Sequence, residues 1–213
     1  MATHQPHRVI AKAVVKGGLV AFEDLVYPEL LDHGRPPGHR CRVESCRRAG
    51  VAIVKGAVAG AIAGLAGALA MEQFQAWWSA TEKRLAPAQR AGAAKDEPAT
   101  VQAAERISET VLHQELPEKA KPVAGEVVHY GMGALSGAIY GVAAEVVPPV
   151  RTGNGLAFGA ALWWIADNTA VPDLGLGTPP DKTPPSTHAY ALASHLVYGA
   201  VTETVRRLVR IAL

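Results

Sequence analysis

The sequence predicts an all-α fold, an integral-membrane four-helix transmembrane bundle preceded by an N-terminal amphipathic helix. Three observations lead there. Four long segments are apolar over helical lengths, and arginines cluster at alternate ends of them. The apolar half of the 213 residues is built mainly from Ala, Val, Leu and Gly, with aromatics at only 6%. A soluble core leans on larger side chains, whereas small ones let helices approach closely in lipid. Mean hydropathy is only +0.10, because polar stretches at 1–48 and 79–122 dilute the apolar segments.

Residues 1–48 are expected to form a cytoplasmic segment. "RVIAKAVVKGGLVAFEDLVYPELL" sets Lys12, Lys16 and Glu23 on one helical side and Ile10, Val14, Gly17 and Ala21 on another. That pattern predicts an amphipathic helix on the cytoplasmic surface. Its charges argue against a fifth span. His4, His7 and Arg8 precede an interrupted apolar stretch with no small-residue cleavage pattern, unlike a signal peptide. Cys41 and Cys46 match neither a redox CxxC nor a haem-attaching CxxCH, so reduced, inert thiols are expected.

The first span is expected at 49–78, where "GAVAGAIAGLAGALAM" carries no charge from Gly56 to Met71. A periplasmic loop follows at 79–122, first as a linker and then as a short helix over "ATVQAAERISETVLHQEL". Residues 123–213 supply three further spans and a cytoplasmic C-terminus. The second runs over 123–147, the third over 153–171 with Trp163 and Trp164 as interfacial anchors, and the fourth from about 186. A span needs about 20 mostly apolar residues, which the third meets only marginally. "VVPPVRTGNG" reads as a short turn and "VPDLGLGTPPDKTPP" as a rigid connector, so neighbouring helices should be antiparallel.

Charge sets the orientation. Arg40, Arg42, Arg47 and Arg48 precede the first span, Arg151 lies in the second turn, and Arg206, Arg207 and Arg210 close the fourth span. The 79–122 loop balances seven acids against seven bases. Four spans with both termini in the cytoplasm of a bacterium put every arginine cluster inside, as the positive-inside rule requires. An Ala-rich soluble bundle, the rival reading, needs no such alternation. The net charge of +2 and the lack of a basic stripe with interleaved aromatics argue against nucleic acid as a partner.

Ionisable residues inside these segments form two groups. Glu145, Arg151, Glu203 and Arg207 lie at the inner boundary, where ion pairing is expected; Glu203 and Arg207 are four residues apart. Glu72, Glu126, His129, Asp167, His188 and His195 share the outer leaflet. Such groups face a bundle interior or water. They are expected to meet as a buried polar hub, either knitting helices together or responding to periplasmic acidity. No metal site or cofactor is expected. A b-type haem or zinc held by the histidines is the alternative, weakened because Glu126–His129 is a single ExxH copy and no HExxH or CxxCH occurs. Gly56, Gly60 and Gly64, then Gly133, Gly137 and Gly141, then Gly155 and Gly159 recur at intervals of four, a glycine-zipper pattern for close packing within or between protomers. No GxSxG, phosphate loop or dinucleotide turn is present, so no enzyme is expected.

His129, Tyr140 and "AEVVP", then "WWIAD…VPDLGLGTPP", then "SHLVYGAVTETVRR" occur in an order and spacing that resemble the YagU-like inner-membrane proteins, a bacterial family of unknown biochemical activity. The resemblance covers about 123–210 and implies a multi-span inner-membrane location, with no reaction. The expected function is therefore that of a non-enzymatic inner-membrane protein, acid-responsive or an accessory or assembly subunit. Its expected partners are the bilayer and a second copy or a membrane-complex partner. A small oligomeric transporter or channel for protons or small solutes is one alternative, and a haem- or metal-binding redox protein the other.

Overall fold

The computed structural model describes residues 37–85 and 97–213. Among these residues there are helices and turns and no strand. The helices are α1 (Pro37–Leu85), α2 (Ala99–Ile107), α3 (Lys121–Val146), α4 (Leu156–Ile165) and α5 (Pro185–Ala212). The amphipathic helix expected in the N-terminal segment lies outside the described residues. So does the expected linker over 86–96.

Two helices are long and apolar enough to cross a membrane, Glu44–Glu82 within α1 and Lys121–Val146. α1 does not stop at Trp78, the expected end of the first span, but runs on to Leu85. The added turns contain no Gly or Pro and bond to themselves: Trp78 Nε1 donates to Glu82 at 3.0 Å and Thr81 Oγ1 to the Trp77 carbonyl at 2.9 Å. α4 also differs from the expected 153–171. It starts at Leu156, passes through a π turn at Ala166–Ala170 and ends with Val171–Asp173. Asn168 Nδ2 and Thr169 Oγ1 each bond the carbonyl five residues back, at 3.3 Å, alongside that widened turn.

Ile53–Leu213 forms one compact unit. Its register is set by glycines. Gly56, Gly60 and Gly64 of α1 face Gly141, Gly137 and Gly133 of α3, so these two helices run antiparallel. A Cβ on Gly56 would stand 2.7 Å from the Gly141 carbonyl oxygen, and one on Gly60 would collide with that of Gly137. Gly155 and Gly159 of α4 face Gly199 and His195 of α5 in the same antiparallel way. Gly155 has a second constraint, a φ of +82° that L side chains rarely adopt. Tyr198 and Thr202 of α5 fill the hollow at Gly67 of α1, and Tyr140 of α3 stacks on Phe158 of α4 with centroids 4.3 Å apart. The four longest helical segments thus share one interior.

That interior is small and polar. Ala59, Ala63, Ala68, Ala144 and the facing glycines are buried with Tyr140 and Tyr198, and Ser194, His195, Thr202, Glu203 and Arg206 join them. Most large aliphatic residues of α1 and α3 are outside. Val58, Ile62, Leu65 and Leu69 line the exposed face of α1, and Val123, Val127, Met132, Leu135 and Ile139 that of α3. The short α2 docks on α3, with Val101 against Gly125, and Lys121 pairs with Glu105 at 2.7 Å and Glu118 at 2.6 Å.

Candidate functional site

The buried face of α5 carries most of the polar chemistry. Ser194, His195, Tyr198, Thr202, Glu203 and Arg206 recur at intervals of three and four, so a helical period stacks them along one side. They divide into an outer, a central and an inner group.

At the outer end, Asp167 Oδ2 lies 3.6 Å from His195 Nδ1. The same nitrogen is 3.0 Å from the Ala191 carbonyl oxygen, which can only accept, so Nδ1 carries a proton. A second proton, on Nε2, would turn this contact into an ion pair. The π turn of α4 carries Asp167, and α5 carries its partner. His188 is one step further out: Nε2 donates to the Pro180 carbonyl at 3.1 Å and the ring stands edge-on to Trp163.

The other outer residues gather between α1 and α3. Tyr130 donates a short hydrogen bond to Glu72, and His129 Nε2 donates to the Ala68 carbonyl at 3.3 Å. Glu126 is exposed. Five of the six residues expected in one hub therefore fall into two groups with separate partners, Glu72 and His129 on one helix pair, Asp167, His188 and His195 on the other. The reason is steric. The α1–α3 seam closes carbonyl against glycine, so His129 satisfies itself on the nearest backbone acceptor across it.

The centre is a tyrosine anchor. Tyr198 donates to the Gly133 carbonyl at 2.7 Å and sits 2.9 Å from Ser136 Oγ, tying α5 to α3 where a glycine bares its carbonyl.

At the inner end Glu203 is completely buried and bonded by Arg206 Nε at 2.7 Å, Arg206 Nη2 at 3.0 Å and Arg207 Nε at 2.6 Å. The Tyr140 hydroxyl lies beside it without a well-formed hydrogen bond. Glu145 takes Arg210 at 2.8 Å and approaches Arg206 at 3.9 Å. Arg151 is exposed and makes no ion pair among the described residues. Lys55 reaches the last residue, donating to Leu213. Sequence reasoning does not single out Arg206, Arg210, Tyr130 or Tyr198 as site residues. The signal it holds is the spacing of Tyr198, Thr202, Arg206 and Arg210, a continuous polar stripe at four-residue intervals.

Among the described residues no group of three or more His, Cys, Asp or Glu side chains is placed to hold a metal ion. A family model described as a protein of unknown function (DUF1440) matches residues 78–204, more than half of the chain. No curated protein and no solved structure matches.

Proposed function

The chain belongs to the DUF1440 family of proteins of unknown function, and we propose that it is a non-enzymatic, four-span protein of the bacterial inner membrane. One observation carries this reading: the polarity of the unit is inverted. Glu203, Arg206, Thr202 and Ser194 are buried, while long rows of Val, Ile and Leu on α1 and α3 are exposed. In water such continuous apolar faces are aggregation surfaces, whereas in hydrocarbon they are the correct exterior. Only 28% of each of the two candidate windows is buried, unlike the core helix of a soluble protein. α4 with its π turn and final turn, and α5 with its polar face turned inward, complete the four spans. The arginine-rich end of α5, with Arg151, then faces the cytoplasm. The YagU-like blocks begin and largely lie within the matched stretch and support the inner-membrane location.

Asp167 and His195, at the periplasmic end of the bundle, are the contact that gives this protein an acid response. An imidazolium facing a carboxylate at 3.6 Å draws α4 to α5, whereas the hydrogen bond of a neutral imidazole stays within α5, on the Ala191 carbonyl. A lipid-facing exterior and close-packed seams suit an accessory or assembly role. A second reading, proton conduction, is favoured by the polar face of α5 running from His195 to Arg206.

The membrane reading is tested by alkaline carbonate extraction of expressed protein. Retention in the membrane pellet is expected, and release into the supernatant overturns it. Proteoliposomes with an entrapped pH dye decide the second reading: a proton flux abolished by His195→Leu supports it, and no flux removes it.

A further inference from the structure

We infer that the hollow between the π turn of α4 and the start of α5 is a binding site for an organic ammonium group. The hollow has a volume of about 490 Å³ and is lined by Trp163, Trp164, Asn168, Pro180, Asp181 and His188. Three of these six are aromatic, and their planes are crossed. Trp163 stands at 68° to Trp164 with centroids 6.1 Å apart, and at 88° to His188 with centroids 6.0 Å apart. Crossed rings form a corner rather than a stack. Ring faces carry negative electrostatic character, so such a corner attracts a cation, the arrangement used for quaternary ammonium groups.

The rest of the lining has matching charge. Among the described residues that line the hollow, Asp181 is the one acid, and there is no Lys or Arg. The neighbouring Lys182 is exposed and is not part of the wall. Asp181 is held in place rather than merely nearby. It lies in the 3-10 turn Pro180–Lys182, and His188 Nε2 donates to the Pro180 carbonyl at 3.1 Å. Thr183 Oγ1 closes the same turn on the Pro179 carbonyl at 3.1 Å, and prolines 179, 180, 184 and 185 restrict its backbone. Such a preformed wall loses little freedom on binding.

A compact, poorly hydrated ammonium satisfies both parts of this site, the ring faces and the carboxylate. An inorganic cation, with its tightly held hydration shell, uses only the carboxylate well. The hollow is shallow and broadly open, so a substituent on the nitrogen can leave it. The ammonium can therefore come from a free solute or from a lipid headgroup. The inference is independent of the membrane reading, since the soluble arm of the test needs no bilayer.

The test uses the full chain in a maltoside detergent and isothermal titration with three probes: choline, its uncharged carbon isostere dimethylbutanol, and dihexanoyl phosphatidylcholine. Saturable choline binding is expected, about fivefold or more tighter than the isostere. Trp164→Leu and Asp181→Asn should each weaken it by a similar factor with the melting temperature unchanged, since Trp164 is 62% exposed and Asp181 is also exposed. Trp164→Phe, which keeps a ring face, should retain most of the binding and guards against a folding artefact. Phosphatidylcholine binding that is lost in the same variants assigns the site to a headgroup; binding of choline alone assigns it to a free solute. Equal binding of choline and the isostere, full binding by Asp181→Asn, or no binding of either ammonium probe overturns the inference.

Discussion

Glu203 is a fully buried carboxylate whose three bonds come from two arginines of very different exposure. Arg206 is 2% exposed, whereas the Arg207 side chain is 51% exposed. Their removal should therefore not be equivalent. Glu203→Leu strands the Arg206 guanidinium with only a distant Glu145, and should cost about 3–5 kcal/mol of stability in detergent. Arg207→Met leaves Glu203 its two bonds to Arg206 and removes a solvated charge, for a loss of about 1 kcal/mol or less. Unfolding midpoints in denaturant check the order, and equal losses would show that the carboxylate is not buried as described. The Asp167–His195 contact makes a different prediction. A double-mutant cycle on Asp167→Asn and His195→Gln should give a coupling that differs between about pH 5 and about pH 8, because attraction needs a charged imidazole and an ionised carboxylate together. His188 also faces Asp167 electrostatically, so the cycle is best repeated in His188→Gln. A coupling with no pH dependence would reduce the pair to structural glue. Glu203 with Arg207 was legible in sequence because four residues on a helix is one turn. Glu145 with Arg210 was not, since the partners are 65 residues apart and several bases compete for the same carboxylate.

Between elements, the seam of α1 with α3 depends on the absence of side chains. Gly60→Ala places a methyl against the backbone of Gly137, with the nearest Cα, that of Gly141, 2.9 Å away. Backbone cannot rotate out of the way as a side chain can, so a loss of about 1–3 kcal/mol is expected. Gly131 sits on the same helix as Gly133, and a methyl there would have nothing within 4 Å. Gly131→Ala should leave stability unchanged or raise it by up to about 1 kcal/mol, because Ala is the better helix former. Thermal unfolding of the two variants side by side checks the contrast, and a gain at both positions would mean that the higher helix preference of Ala rather than contact governs. The four-residue recurrence of glycine was visible in the sequence because a repeated small residue marks a continuous stripe. Which stripe faces which was not. Gly155 and Gly159 meet Gly199 and His195 rather than either other triplet, a choice set by how the short turn at Pro148–Arg151 and the left-handed residues Gly153, Asn154 and Gly155 redirect the chain.

For the whole molecule, α3 and α5 run parallel to each other and antiparallel to α1 and α4, so the turn at Pro148–Arg151 and the end of α5 lie at one end of the unit. In the proposed orientation that end is cytoplasmic. His113→Cys in a background with Cys41→Ser and Cys46→Ser should react with a membrane-impermeant maleimide in intact spheroplasts, and Arg151→Cys in the same background only after permeabilisation. The reverse pattern would invert the topology. The sequence by itself determined the helical class, the approximate position of the long segments, the arginine asymmetry and the small-residue stripes, because each depends on neighbours within a few turns of one helix. Tertiary structure alone decided that the outer ionisable residues separate into two groups, that Tyr198 bonds the Gly133 carbonyl, that Glu145 takes Arg210, and that two tryptophans and a histidine cross at a corner. Each of these depends on the rotation and register of one helix against another, and those are fixed by which carbonyls glycine leaves bare, a property of the pair of surfaces and of neither sequence stretch alone.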